Sequence, residues 1–221
     1  TRGKFSVPMV IRIPYGGGIN ALEHHSESPE AYFGHTPGLK VVIPSTPYDA
    51  KGMLIAAIED PDPVIFMEPK RIYRAVKQEV PEEKYTIPLD KAKVIQAGEQ
   101  ITIIAYGAMI REAQKAIALA KQKGYSVELI DLRSIWPIDR ETISRSVRKT
   151  GRALVVTEAP QSYGPAAELI SIINEEAFLS LEAPPTRLTG FDTVIPLPLG
   201  EKHYMLSPER IAHEIDRLIK Y

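Results

Sequence analysis

The sequence predicts an α/β protein with mainly parallel sheets. Short apolar segments of strand length alternate along the chain with segments that repeat apolar residues at helical spacing. Several of the helical segments begin with a Ser or Thr followed by proline, which is typical of helix N-termini. With 221 residues, 44% of them hydrophobic, the chain is long enough for one large globular domain or two ordinary ones.

The elements of the first part each have a local signal. An apolar segment beginning at residue 7 leads into the glycine turn Gly16–Gly18. Ser28 is the predicted N-cap of one helix, with Pro29 at its first position, and Thr46 with Pro47 begins a second helix in the same way. Two further apolar runs are predicted strands, at residues 39–43 and 64–67.

A charged segment with several prolines, from about residue 70 to residue 88, is predicted to be an interdomain linker because it lacks apolar periodicity. We place the first unit and this linker at residues 1–85, and the second unit at residues 86–221. The second unit has four predicted strands, at residues 101–105, 126–132, 153–157 and 186–189. Its predicted helices begin near Ala108, at Asp139, near Pro165 and at Ser207, and the first of them ends at Gly124.

Composition excludes several classes of function. The formal net charge of −1 does not favour nucleic acid or an anionic membrane as a partner. The absence of cysteine excludes disulfides, zinc ribbons and thiol catalysis. The apolar runs are shorter than the ~20 residues of a membrane-spanning helix. These features predict a cytoplasmic protein that contacts neither nucleic acid nor membrane.

The pair His24–His25 is the strongest candidate for chemistry, because it lies on a loop that leads directly into a helix. The positive end of the helix dipole favours a neutral imidazole, which can accept and donate a proton. On the residues alone, a surface or interface histidine on the loop is the favoured interpretation. The glycines at 16–18 match no phosphate-binding spacing and predict a tight turn. We expect Glu23, Glu27 and Glu30 to be solvated, and Glu158, after a strand, to have a packing or interface role.

Several motifs together resemble one family. They are His25-Ser26, Asp131-Leu132-Arg133-Ser134-Ile135, Glu182-Ala183-Pro184 and the segments at residues 37–44, 48–52 and 60–63. In this order they resemble the beta subunit of the thiamine-diphosphate-dependent 2-oxoacid dehydrogenases of the pyruvate and branched-chain types. The resemblance implies part of a pyrimidine-binding domain followed by a transketolase C-terminal-like domain. About the first third of the usual subunit would precede Thr1.

The resemblance implies oxidative decarboxylation of a 2-oxoacid through thiamine diphosphate, followed by acyl transfer to a lipoyl group. His25 would face the thiazolium end of the cofactor and act as a proton donor, whereas His24 has no assigned role and His35 could border the site. The cofactor-binding residues are expected upstream of Thr1 and on an alpha subunit, which would supply the magnesium and diphosphate ligands. The expected assembly is an α2β2 heterotetramer.

The resemblance also implies two further sites. A potassium ion would be held by backbone oxygens of six residues: Val7, Met9, Val10, Ala57, Asp60 and Asp62. A lipoyl acyltransferase core would dock on an acidic clamp formed by Glu182 and the terminal carboxylate of Tyr221. Backbone ligands leave little trace in a sequence, and a glutamate that caps a strand would produce the same pattern as a docking residue.

Two other classes of function stay open at this stage. One is a different thiamine enzyme, either transketolase-like or a ketoacid–ferredoxin oxidoreductase; the absence of cysteine argues against an iron–sulfur cluster on this chain. The other is a non-catalytic assembly module. The identity of the 2-oxoacid does not follow from the sequence.

Overall fold

The computed structural model describes residues 3–221, apart from the side chain of Glu23. Its first sheet has the strand order β1-β3-β2-β7, comprising β1 (Val10–Tyr15), β2 (Lys40–Val42), β3 (Val64–Pro69) and β7 (Ser134–Trp136). Strands β1, β3 and β2 are parallel, and β7 is antiparallel to β2. Two helices connect these parallel strands, the short α1 (Glu30–Gly34) and α2 (Pro47–Glu59).

The second sheet has the order β4-β6-β5-β8-β9, with only β4 antiparallel to its neighbour. Its strands are β4 (Lys93–Gln96), β5 (Ile101–Ala105), β6 (Val127–Asp131), β8 (Ala153–Val156) and β9 (Thr186–Leu188). The accompanying helices are α3 (Met109–Gln122), α4 (Arg140–Thr150), α5 (Pro165–Ala177), α6 (Pro198–Tyr204) and α7 (Pro208–Ile219). The prediction of an α/β fold with mainly parallel sheets is therefore confirmed.

Strand β7 ties the later part of the chain to the first sheet. The chain leaves β6 and reverses at Arg133, whose φ of 61° lies in the left-handed region. The Ser134 hydroxyl then donates to the Val41 carbonyl at 3.3 Å, and the buried Arg133 guanidinium pairs with Asp49 of α2. The sequence analysis missed this strand, as it missed β4 and α6.

Three predicted helix starts are confirmed by their N-cap hydrogen bonds. The side chains of Thr46, Asp139 and Ser207 accept the backbone N–H of Asp49, Thr142 and Arg210 respectively. The prediction for α1 is wrong by one residue. Pro29 is its N-cap, no side chain caps the helix, and Ser28 lies outside it.

One apolar cluster extends across both sheets and forms the common core. It joins Tyr15 and Ile65 of the first sheet to Ile104 and Val155 of the second. The end of the predicted linker packs on the first sheet, since Ile87 and Leu89 belong to the cluster around α2 and β3. The boundary at residues 85 and 86 stays a prediction. Within the described part of the chain, no helix is both long and apolar enough to cross a membrane.

Candidate functional site

The histidine pair lies in a short 3-10 turn, Glu23–Ser26, between the glycine turn and α1. The His25 side chain is exposed, and its Nδ1 lies 3.1 Å from the Leu22 carbonyl oxygen. His24 is also exposed, and its Nδ1 lies 3.4 Å from Glu27 Oε1. We call residues 16–29 the histidine loop. Because the His25 side chain is exposed, it is accessible to a ligand or to a second chain.

Two buried carboxylates of the second sheet's domain hold the start of the histidine loop. Gly17 N donates to Glu158 Oε2 at 3.1 Å, and Glu201 accepts from Gly18 N at 2.6 Å and from Asn20 N at 2.7 Å. A Cβ on Gly17 would lie 2.6 Å from Ile195 Cδ1 and 2.8 Å from Met205 Sδ. The glycine turn is therefore a tight turn, as predicted, and its N–H groups bind the protein's own carboxylates.

Lys70 also contacts the histidine loop. It follows β3, and its ammonium group donates to the backbone carbonyl of His25. Partial burial lowers the pKa of Lys70. The contact holds the backbone of His25 and does not involve its imidazole.

A group of buried acids and phenols lies beneath the loop, where the carboxyl ends of β1 and β5 meet. Glu30 is fully buried and accepts the Tyr106 hydroxyl at 2.7 Å, which corrects the expectation that Glu30 is solvated. Burial raises the pKa of Glu30, and it raises the pKa of Tyr15 and Tyr106 well above the usual value. Glu30 Oε2 and the Tyr15 hydroxyl have no hydrogen-bond partner among the described residues. The Glu27 side chain is partly exposed.

A cavity of about 420 Å³ opens beside the histidine loop. Its walls include Ser26 and Glu27 of the loop, together with Glu158, Asp192 and Tyr204 of the second domain. Burial, together with the charge of the nearby Glu30, raises the pKa of Glu158 to about 7. Glu158 therefore exchanges a proton near neutral pH, which the sequence analysis did not foresee. His35 lines a different cavity, of about 300 Å³, with Trp136 and Tyr163.

The residues predicted to hold potassium lie near one another. Val7 N donates to the Pro61 carbonyl at 3.1 Å, and the Met9 carbonyl accepts Val64 N at 2.8 Å. The Ala57 carbonyl, at the end of α2, accepts the N–H of Asp60 at 3.4 Å. The carboxylates of Asp60 and Asp62 both pair with Lys40, so a protein cation already balances their charge.

Glu182 and the chain end are linked through a single arginine. Arg152 Nη1 pairs with Glu182 Oε2 at 2.5 Å, and Arg152 Nε donates to the Leu218 carbonyl near the end of α7 at 2.9 Å. The Glu182 side chain is 60% exposed, and Tyr221 is also exposed. Both remain predicted docking residues, and Arg152 already neutralises part of the charge of Glu182.

Family models match both domains. The transketolase pyrimidine-binding domain matches residues 1–76, and the transketolase C-terminal domain matches residues 90–211. The pyruvate dehydrogenase E1 component subunit beta of Acholeplasma laidlawii is 62% identical over 220 residues, which span 100% of this chain and 67% of that protein. The chain belongs to the family of 2-oxoacid dehydrogenase beta subunits.

Other members of the beta-subunit family agree with this assignment. The corresponding pyruvate dehydrogenase subunit of Bacillus subtilis is 46% identical over 99% of this chain and 67% of its own length. The mitochondrial 2-oxoisovalerate dehydrogenase subunit beta of Dictyostelium discoideum is 53% identical over 89% of this chain and 53% of its own length. The chain thus spans about two thirds of the length of its bacterial relatives.

A solved structure supports the fold of this beta-subunit chain. A split-gene transketolase, described as an inactive beta4 tetramer, superposes with a TM-score of 0.77 over 99% of this chain and 70% of its own length, at 22% identity. At that identity the similarity concerns the fold alone.

Proposed function

We propose that this chain forms the larger part of the beta subunit of a 2-oxoacid dehydrogenase first component. Assembled with an alpha subunit, it oxidatively decarboxylates a 2-oxoacid and transfers the acyl group to lipoyl. The observation that carries the proposal is the match, from end to end of the chain, to beta subunits of that name at 46% to 62% identity. The fold-level similarity to transketolase, at 22% identity, gives the transketolase alternative much less support.

His25 is the proposed proton donor of the site. Thiamine diphosphate, when bound, supplies the electron sink for loss of carbon dioxide. His25 is exposed on a backbone held by Lys70, so its imidazole can reach a bound intermediate and deliver a proton there. We assign His24 no role, since the resemblance gives it none and its imidazole lies beside Glu27.

The magnesium and diphosphate ligands are proposed to come from the alpha subunit. The described residues include no group of three or more His, Asp or Glu side chains arranged to hold a metal ion. The glycine-turn N–H groups, which otherwise suit an anion, already bind Glu158 and Glu201. This donor set does not fit a magnesium–diphosphate group, so we assign that site to the partner in an α2β2 heterotetramer.

Three further assignments belong to the proposal. Potassium would bind the backbone oxygens at the end of α2 and the start of β1, where the predicted ligands lie close together. The lipoyl acyltransferase core would dock near Glu182 and Tyr221. A cytoplasmic location fits the bacterial relatives and the absence of cysteine.

The decisive experiment is reconstitution. The full-length beta subunit and its alpha subunit, with thiamine diphosphate and magnesium, are incubated with a lipoyl domain and either pyruvate or 2-oxoisovalerate. We expect the lipoyl domain to gain the mass of the acyl group with at least one of these acids, and neither subunit alone to do so. If the assembled heterotetramer acylates the lipoyl domain with neither pyruvate nor 2-oxoisovalerate, the proposal is contradicted.

A further inference from the structure

Glu201 lies at the centre of the contact between α6 and the histidine loop. Its side chain is buried, and each carboxylate oxygen accepts one backbone N–H of the loop, from Gly18 at 2.6 Å and from Asn20 at 2.7 Å. Burying a carboxylate costs free energy unless hydrogen bonds compensate it. Hydrogen bonds to a charged acceptor are also shorter and stronger than neutral ones. The fold therefore buries a carboxylate of α6, and hydrogen bonds to this loop compensate the cost of its burial.

Two residues of the loop have a left-handed backbone. Gly18 has a φ of 81° and Asn20 a φ of 55°, both in the left-handed region, which costs free energy for a side chain such as that of Asn20. Residues in such conformations persist only where their surroundings determine them. The two N–H groups that Glu201 accepts belong to these two residues. Glu201 therefore binds the two residues of this part of the loop whose backbone lies in the left-handed region.

Packing alone does not hold His25 in place. Its side chain is exposed, and the turn that carries it has one backbone hydrogen bond to its own start, from His25 N to the Leu22 carbonyl at 3.3 Å. Four residues lie between Asn20 and His25, and the loop is fixed again at the His25 carbonyl by Lys70. The position of the imidazole thus depends on these two attachments together with the loop's own contacts, such as that of His25 Nδ1 with the Leu22 carbonyl.

We propose that Glu201 is a positioning residue for His25, acting through its two hydrogen bonds to the loop backbone. The inference deepens the proposed function, in which His25 donates a proton during acyl transfer to lipoyl. Glu201 touches no reacting atom in this arrangement. Its effect on the reaction passes through the geometry of the loop, where a displacement of about 1 Å can cost about 10²-fold in rate.

The test is a double-mutant cycle in the assembled full-length enzyme. Glu201→Gln keeps the size of the side chain and replaces one acceptor oxygen with an amide that cannot accept. We expect it to slow lipoyl acylation by about 10-fold to 100-fold. In a His25→Ala background the same substitution should have almost no further effect, since the group that it positions is gone.

Amide hydrogen exchange provides a readout that does not depend on activity. We expect the amides of Gly18 and Asn20 to exchange faster in Glu201→Gln. Glu128→Gln is the matched control, because Glu128 is also a buried carboxylate that accepts a backbone N–H, that of Gly98 at 3.3 Å, and it pairs with Lys149 away from the histidine loop. The control should leave both exchange in the loop and the acylation rate unchanged.

The outcomes separate the inference from the proposed function. Equal slowing by Glu201→Gln in the wild-type and His25→Ala backgrounds, or unchanged loop exchange, would overturn the positioning role. Full activity of His25→Ala would instead remove His25 from the proposed function. In that case faster exchange would still report that Glu201 holds the loop, and the link to catalysis would be lost.

Discussion

His25 combines exposure of its imidazole with a fixed backbone, and this arrangement suits a proton donor that meets a ligand from another chain. We predict that His25→Ala in the assembled enzyme lowers acyl transfer to the lipoyl domain by about 10²-fold or more, a usual effect of losing an acid–base group. The measurement is single-turnover acylation of the lipoyl domain. His24→Ala is the matched control, because the neighbouring imidazole is also exposed and contacts only Glu27 among the ion pairs described.

Equal losses in the two histidine variants would contradict the prediction. They would indicate that the order of the loop, and not a proton from His25, limits the reaction. Circular dichroism and heterotetramer assembly of both variants exclude a general loss of fold as the cause.

Glu158 introduces a pH dependence of stability that has an unusual sign. Burial raises its pKa from 4.5 to about 7 in the folded protein. Below about pH 4.5 the carboxyl is protonated in both states; between the two values only the unfolded chain releases the proton, so rising pH favours unfolding. The free energy of unfolding therefore falls as the pH rises from about 4.5 to about 7, by on the order of 3 kcal/mol in total, and this group causes no further decrease above about pH 7.

We therefore predict that Glu158→Gln reduces the loss of stability between about pH 5 and about pH 7.5. The glutamine oxygen can still accept Gly17 N, so the loop contact remains. Urea unfolding of the full-length subunit at both pH values measures the difference. Parallel pH profiles of wild type and variant would show that Glu158 keeps its ordinary pKa.

The same residues mark the limit of prediction from sequence. His25 was found because it lies in a motif with its neighbours. Glu30 was misjudged because its burial depends on Tyr106, which is 76 positions away in sequence. Glu201 carried no local signal at all: its partners are backbone N–H groups of Gly18 and Asn20, and any residue type would present the same groups.

At the scale of elements, the sequence predicted the features that depend on neighbouring residues, such as helix starts, and missed those that depend on distant strand pairing. The helix starts at Thr46, Asp139 and Ser207 were predicted, and in the structure each of these side chains accepts an N–H three residues along the chain. Strand β7 was missed because it has three residues and pairs with β2, more than 90 positions earlier in the sequence. Helix α1 begins one residue late because Ser28 makes no cap hydrogen bond.

The predicted potassium site, where the end of α2 lies near the start of β1, can be tested by comparing potassium with sodium. Backbone hydrogen bonds hold residues 7–9 against residues 61–64, close to the Ala57 carbonyl at the end of α2. We predict that potassium raises the unfolding midpoint of the full-length subunit above that in an equal concentration of sodium. A single site gives about 2.7 kcal/mol at an ion concentration of about 100 times Kd.

Pro61→Gly should abolish the difference between the two salts, because it loosens the turn that presents these carbonyls. Pro81→Gly, in the charged segment after β3, is the control and should keep the difference. Identical melting of the wild-type subunit in potassium and sodium would remove the potassium site from the proposal.

At the scale of the whole molecule, the two sheets meet where the carboxyl ends of β1 and β5 lie close together. Tyr15 ends β1 and its hydroxyl lies close to Gly107, where a Cβ would approach it to 2.7 Å. The apolar cluster behind this contact includes residues of both sheets, and β7 adds a backbone connection between them. The histidine loop is thus built by the first domain and held by the second, so a change in either domain can alter its geometry.

The last prediction concerns docking of the assembled enzyme on the lipoyl acyltransferase core. Arg152 binds Glu182 and the Leu218 carbonyl, which brings the Glu182 segment and the end of α7 to one surface. Glu182 and the terminal carboxylate that the resemblance implies would attract a basic partner to this surface, and salt would weaken the attraction. We predict that Glu182→Lys, or an extension beyond Tyr221, weakens core binding by about 1 to 3 kcal/mol. Decarboxylation with an artificial electron acceptor should not change. Glu141→Lys makes the same charge change on α4 and should bind normally; unaltered affinity in both docking variants would place the core elsewhere on the molecule.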